Sequence, residues 1–439
     1  MRRSVIIFAT AILTAMTAGC GGGDGSSASG FATCSQADQN QRVFEHMQSW
    51  YVWTAFLPSS IDPEAYASVE DLLDAITYQP IDRYTFVIPK TTANNLFQRG
   101  QFIGIGITTV WVGDRLYAGE VWPGSPADDA GLVRGDELLE INGTTVASIA
   151  ASGGSVSDAF GADAVGTSVT LRYVDAGAVE HTPTMQKALV TMDTVRFVDT
   201  FDVGGSTVGY LNFKAFVAPS VDDLDDAFDL LRVSGVDELV LDLRYNGGGY
   251  IYVAQQLASQ IGGTITNGQL MVGLDFNAQH QNQNQSLYFN NPSNALDLNR
   301  VIVITTGATA SASEMVINSL APFIDVVTVG STSYGKPVGS NSWDFCGQSL
   351  FPITFVTSSA AGPADFYDGF PADCAAVDDL THALADPAEA SLAEALYYVA
   401  NDSCSVTSER SRRSELARLG AAGRDTRRSP EDMYRGDMH

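Results

Sequence analysis

Leu239-Val240-Leu241-Asp242-Leu243-Arg244-Tyr245-Asn246-Gly247-Gly248-Gly249 joins an uninterrupted apolar run to a polar, glycine-rich turn. A run without polar alternation reads as a strand covered on both faces, the pattern of a parallel sheet with helices packed against it. The glycines allow a sharp turn with backbone N–H groups left open. The same texture recurs on either side. Val208 to Phe213 reads as a strand, and Val221 to Val233 as a helix with Leu224, Ala227, Phe228 and Leu231 on one face. Tyr252 to Ile261 reads as a helix, Val301 to Ile304 as a second buried strand, Met315 to Leu320 as a helix and Val326 to Val329 as a strand. Strands alternating with helices imply an α/β layer with a largely parallel sheet. The stretch from Asn277 to Asn294, rich in Gln and Asn, reads as a long surface loop.

Two further segments leave a strand in unusual residues: Thr309-Ala310-Ser311-Ala312-Ser313-Glu314 and Ser333-Tyr334-Gly335-Lys336-Pro337-Val338-Gly339. Open α/β sheets place their sites at such strand ends. An aliphatic hydroxyl needs a base to become a nucleophile, and a lysine serves only as the neutral amine, which burial favours.

Upstream, Phe102-Ile103-Gly104-Ile105-Gly106-Ile107 is followed by Val121-Trp122-Pro123-Gly124-Ser125-Pro126-Ala127 and Gly135-Asp136-Glu137-Leu138-Leu139-Glu140-Ile141-Asn142-Gly143. This order of short strands and glycine turns resembles a PDZ domain. The resemblance implies that the loop Gly104, Ile105, Gly106 and Ile107 offers backbone N–H groups to a peptide's terminal carboxylate, the peptide adding as a strand.

Taken together, the LDLRxNGGG, SASE and [FY]GK segments, with a PDZ domain ahead of them, resemble peptidase family S41, the C-terminal processing peptidases. The family implies a multidomain α/β protein with an N-terminal helical cap, a PDZ-like β domain and an α/β catalytic core of ClpP/crotonase-like type. It implies Ser311 as nucleophile and Lys336 as general base, because 336 minus 311 gives the family's spacing of 25 and selects Ser311 over Ser313. Backbone N–H groups of Ala312 and Gly248 are the expected oxyanion donors, since family members often carry proline, which has no N–H, at the Gly247 position. The family commonly has Gln four residues after the lysine. Here Ser340 stands there, with a shorter reach, as third catalytic position.

The expected organisation is a signal peptide over 1–19, a lipidated Cys20 with a flexible tether over 20–33, the helical cap over 34–97, the PDZ-like domain over 98–190, the peptidase domain over 191–404 and a disordered tail over 405–439. In the cap, Val43, Met47, Trp50 and Tyr51, then Val69, Leu72, Leu73 and Ile76, recur at helical spacing and read as core packing. Arg2 and Arg3 precede an apolar run from Val5 to Ala18, too short for a comfortable membrane span. Ala18-Gly19-Cys20 then resembles a bacterial lipobox, although Thr17 replaces the usual aliphatic residue. The implied location is exported, lipid-anchored to a bacterial membrane, with Gly21 pointing to the outer membrane.

The 51 acidic against 24 basic residues exclude nucleic acid and electrostatic attachment to anionic lipid. That leaves polypeptides with free C-termini as partners and the lipid anchor as the membrane contact. Cys34, Cys346, Cys374 and Cys404 form an even set in an exported chain, so disulfides are expected, with three connectivities open. The pairing taken forward is Cys346–Cys374 with Cys34–Cys404. No CxxC or HExxH motif occurs, and neither metal nor cofactor is expected. A Ser-His-Asp hydrolase using His46, His181, His280 or His382 lacks a GxSxG elbow. A non-catalytic peptide-binding lipoprotein of the same fold is the remaining alternative.

Overall fold

The computed structural model describes residues 33–79, 81–408 and 438–439. At its centre is a six-stranded sheet in the order Val195–Val203, Ser206–Phe213, Glu238–Asp242, Arg300–Thr305, Asp325–Gly330, Cys374–Ala375. The first two strands pair antiparallel and every later pair is parallel. Successive side chains of a strand face opposite ways, so the apolar runs feed two cores at once. Leu239, Leu241, Val301 and Val303 pack with Leu224, Phe228, Leu257 and Val316 on one face. Val240, Ile302, Ile304 and Val329 pack with Leu392 and Ala395 on the other. The helices Ser220–Val233, Ile251–Thr266, Ala312–Leu320 and Ala390–Asn401 supply these covers. Cutting Leu241 back to alanine would cost roughly 2–5 kcal/mol. The α/β expectation holds, with helix and strand ends shifted by a few residues.

The loop expected from Asn277 to Asn294 is partly ordered pairing. Gln285–Tyr288 forms a strand antiparallel to Leu270–Phe276. Its side chains are largely exposed, so an edge strand could be built from Gln and Ser without any apolar signal.

In the N-terminal part, Ser35 caps helix Gln36–Trp50 by accepting the Asp38 N–H, and Ser68 caps Val69–Ile76 by accepting that of Asp71. Each such cap contributes about 1 kcal/mol. Their apolar faces bury Val43, Met47, Leu72 and Ile76 against Val338, Leu350 and Ile353, which lie just beyond Lys336. The strand Phe86–Pro89 pairs antiparallel with Gln348–Phe351. The cap is therefore continuous with the Lys336 side of the α/β layer.

The PDZ region is a second body with its own core, including Ile105, Ile107, Leu116, Leu138, Ile141, Phe160 and Leu171. Its strands run Ile107–Val112, Arg115–Val121, Glu137–Ile141 and Ser168–Val174, closed by Gln101–Gly104 against Ala188–Thr191.

The four cysteines are all oxidised, but the expected pairing is wrong. The bonds are Cys34–Cys346 and Cys374–Cys404. Cys34 stands at the start of the first helix, which docks on the turn after Trp343–Phe345, at a Cα separation of 5.7 Å. Cys404 follows helix Ala390–Asn401, which lies on the edge strand holding Cys374. Linear spacing carries no trace of either docking. The signal peptide, Cys20, the tether up to residue 32 and the tail from 409 to 437 lie outside the described residues. Among the described residues, no helix is long and apolar enough to cross a membrane.

Candidate active site

Three neighbouring parallel strands end at Asp242, Thr305 and Gly330, so the segments they release emerge at one edge of the sheet. These are the segments carrying the glycine turn, Ser311 and Lys336.

Ser311 precedes helix Ala312–Leu320 with φ 57° and ψ −113°. A non-glycine residue at positive φ costs of order 1–3 kcal/mol and persists only where neighbours enforce it. They do so here. The Thr309 hydroxyl donates to the Leu243 carbonyl at 2.8 Å, and the Ala310 N–H donates to that of Asn246 at 3.0 Å. Ser313 is fully buried, and its hydroxyl donates to the same Asn246 carbonyl at 3.0 Å. Ser311 is partly exposed, and it alone of the two faces outward.

Glu314 joins the two halves of the site. It is fully buried, and its two oxygens accept four hydrogen bonds. Oε2 takes the N–H of Ser311 at 3.0 Å and of Lys336 at 2.8 Å. Oε1 takes the Ser333 hydroxyl at 2.5 Å and the Gly335 N–H at 2.6 Å. Burial nevertheless pushes the Glu314 carboxyl up, against the pull of these donors. From sequence Glu314 read only as a neighbour of the site or a helix-start carboxylate.

Lys336 is 2% exposed, and its Nζ lies 5.7 Å from the Tyr84 ring centre. The loop carrying it is held from the cap. Arg83 Nη2 donates to the Tyr334, Gly335 and Tyr367 carbonyls, and the Tyr84 hydroxyl donates to the Gly335 carbonyl at 2.5 Å. Arg83 and Tyr84 were not singled out from sequence, since nothing in a single chain ties them to a loop some 250 residues away. Ser340, at the end of strand Val338–Ser340, turns its hydroxyl to the Phe351 carbonyl at 3.5 Å.

The glycine turn needs one correction. Gly248 has φ 100° and lies so close to the serine that a Cβ there would stand 2.8 Å from both Ala312 N and Ser311 Cβ. Its N–H, however, donates to the Asn246 side-chain oxygen at 3.0 Å, so it is not an open oxyanion donor in this arrangement. Asn246 fixes the turn further by donating to the Phe213 carbonyl at 2.9 Å. Sequence reasoning passed over it because an asparagine in a turn is unremarked. Ala312 is the first residue of its helix, a position whose N–H has no partner within the helix.

The PDZ body touches this turn. Arg134 donates to the Tyr245 hydroxyl at 2.9 Å and to Asp378 at 2.7 Å, and Tyr245 immediately precedes Asn246 with φ 63°. Arg244 is fully buried and pairs with Asp242 at 2.6 Å, Glu389 at 2.8 Å and Asp378 at 3.2 Å. Burial alone would raise the Asp378 carboxyl, but Arg244 and Arg134 outweigh it and hold it below the usual range. In the loop expected to read carboxylates, the Gly106 and Ile107 N–H groups donate to the backbone oxygen of His439, while Ile105 is buried and its carbonyl accepts from Ala127. Gly104 lies against the His439 backbone. The four histidines first weighed are engaged elsewhere: His46 stacks on Trp343, His280 on Trp50, His181 meets Asp175 and His382 meets Asp379.

Three family models match the chain: peptidase family S41 over residues 207–358, the peptidase S41 N-terminal domain over 38–86 and a PDZ domain over 117–172. The chain is 27% identical over 305 residues to the carboxyl-terminal-processing protease of Picosynechococcus sp., covering 67% of this chain and 69% of the relative. It is 25% identical over 308 residues to the carboxy-terminal processing protease CtpB of Bacillus subtilis, covering 68% of this chain and 59% of that one. Among solved structures, an S41 protease from Bacteroides fragilis superposes with a TM-score of 0.67 at 25% identity, covering 82% of this chain and 97% of the other. The photosystem II D1 C-terminal processing protease shares the fold, with a TM-score of 0.51 at 20% identity over 78% of this chain and 92% of that one.

Proposed function

The chain belongs to peptidase family S41, and from that membership we propose that it is a serine endopeptidase of the C-terminal-processing type, acting on exported polypeptides through Ser311 and Lys336. The observation that carries the reading is the buried Glu314 carboxylate, which accepts the N–H of both residues and so fixes their backbones to one another.

In the proposed reaction the Lys336 amine, kept from water, takes the proton of the Ser311 hydroxyl as the oxygen attacks the scissile carbonyl. The negative oxygen that forms is met by the Ala312 N–H at the helix start and by an N–H of the turn 247–249, the Gly248 group after release from Asn246. The ammonium returns its proton to the leaving amine, and the C–N bond breaks to leave an ester on Ser311. Water, deprotonated by the same amine, then releases the second product and restores the hydroxyl. Ser340 lies on the strand leaving Lys336 and serves at most to orient the amine. The PDZ loop captures the free C-terminus of the substrate, raising the concentration of the adjoining chain at Ser311. Cys20 is the proposed lipid anchor, standing the enzyme off the membrane on a glycine tether.

Digestion of an unstructured protein with an apolar C-terminus, wild type beside Ser311→Ala, tests the reading. Serine-dependent fragments are expected, and equal cleavage by the variant overturns it. For the anchor, the Cys20→Ser protein should leave the membrane fraction, and unchanged fractionation removes the lipid from the account.

A further inference from the structure

A cavity of about 290 Å³ adjoins both segments of the site. It is lined by Gly249, which follows the glycine packed against Ser311, and by Ser340, which ends the strand leaving Lys336. Three rings line it as well. The Phe97 and Phe351 ring centres are 5.5 Å apart and those of Phe97 and Tyr250 5.8 Å, so the three make one continuous apolar surface. Phe97 belongs to a turn of π-helix, Asn94–Gln98, that continues from helix Lys90–Ala93. Such turns are rare and concentrate at functional sites. The same turn carries Gln98, whose side-chain amide donates to the Tyr250 hydroxyl and holds that ring in place. The polar part of the lining includes Ser342, Ser349 and Asp344. One Asp344 oxygen accepts the Ser349 hydroxyl at 2.6 Å, and the other lies 2.8 Å from the Lys90 ammonium. Lys90, and after it Ser349, hold the carboxyl below its usual range, so it stays ionised while Lys90 cancels its charge.

We propose that this cavity receives one substrate side chain, a flat ring carrying a hydrogen-bond donor at its far end, as in tyrosine or tryptophan. The proposal rests on the reading that Ser311 and Lys336 cut polypeptides. An incoming ring gains edge-to-face or offset contact with Phe97, Tyr250 and Phe351. A carboxylate oxygen keeps a lone pair after one partner, so Asp344 can still accept from a phenol or an indole N–H. Other side chains fit less well. An aliphatic group or a plain phenyl ring would fill the cavity but cover the Asp344 oxygens without replacing the water they lose. A carboxylate would face a like charge, and a lysine or arginine would have to displace Lys90. Asp344 and Lys90 are each 48% exposed, so theirs is the smaller share. The rings set the size of the preference, and the carboxylate sets the finer choice between one ring and another.

The test uses glycine- and serine-rich peptides that differ at one central residue: alanine, phenylalanine, tyrosine or glutamate. They are labelled for anisotropy and amidated at the C-terminus, so that carboxylate capture plays no part. Each is titrated into the full chain carrying Ser311→Ala, which reads binding without cleavage. Tyrosine should bind at least about tenfold tighter than alanine and about threefold tighter than phenylalanine, with glutamate no better than alanine. Ser342→Phe, a change at an exposed position of the lining, should fill the cavity and bring tyrosine to within about twofold of alanine. Asp344→Ala should erase only the advantage of tyrosine over phenylalanine. Equal binding of the tyrosine and alanine peptides overturns the proposal, as does a tyrosine preference that survives Ser342→Phe. Hydrolysis by the chain with Ser311 intact is scored separately. Tyrosine-selective binding without Ser311-dependent cleavage retires the peptidase reading and leaves the cavity's ligand standing, whereas cleavage with no ring preference in binding removes the cavity alone.

Discussion

The Lys336 N–H donates to Glu314 at 2.8 Å, tying the lysine loop to the same carboxylate oxygen that receives the Ser311 N–H at 3.0 Å. The two strands that deliver these loops are parallel neighbours, Arg300–Thr305 and Asp325–Gly330. Their ends coincide, and one buried carboxylate sets the remaining distance.

Glu314→Gln tests that arrangement. An amide offers one acceptor oxygen and one NH2, so one pair of donors would face another donor. Loss of that pair should lower kcat by roughly 10- to 100-fold with little change in KM. A variant with wild-type kcat would show that Glu314 only completes the helix start.

Ser311→Ala and Lys336→Ala should each reduce hydrolysis by about 10³-fold or more, and the double variant should be no worse, because the two act as one unit. Ser313→Ala should keep most activity and lose about 1 kcal/mol of stability, since its hydroxyl only donates to the Asn246 carbonyl. An essential Ser313 would mean that the nucleophile has been misassigned. Assays run beside thermal melts separate the two effects.

Gly248→Ala should be inactive while still folded. Its Cβ would meet Ala312 N and Ser311 Cβ at 2.8 Å, and φ 100° is strained for alanine. Displacing the serine by about 1 Å is enough to cost about 100-fold in turnover. Activity near wild type would show that the turn can yield at no cost to the chemistry.

The Arg134 and Arg244 pairs predict acid sensitivity where the PDZ body meets the sheet. Asp378 is held below the usual carboxylate range, so it contributes stability that is present above its unfolded value of about 3.9 and is lost as pH falls through the lower folded value. Melting temperature measured against pH should fall less steeply below about pH 4 for Asp378→Asn than for wild type. Parallel curves would mean that the network carries no proton linkage.

Much of this architecture is written in the order of residues. The run Leu239 to Leu243 faces two cores, and its short length before a glycine turn is what marks it as a doubly covered strand rather than a buried helix. Ser311 and Lys336 were legible because each follows a strand within a short, unusual motif. Arg83, Tyr84 and Asn246 were not, because each acts through backbone carbonyls or a neighbouring N–H, and such contacts ask for a place in space and leave no residue pattern behind. The cysteine pairing failed on the same ground: Cys34 meets Cys346 only because the cap docks on the hairpin beyond the lysine.

That docking bears on how the enzyme could be cut and recombined. A fragment starting at the PDZ body would contain the serine, the lysine and the carboxylate between them, yet it would lack the guanidinium and phenol that grip the lysine loop from outside. The catalytic layer is thus not a portable module. A designer exchanging caps would have to carry Arg83 and Tyr84 along with the loop they hold, so these two pieces of chain, distant in sequence, would have to move as one part.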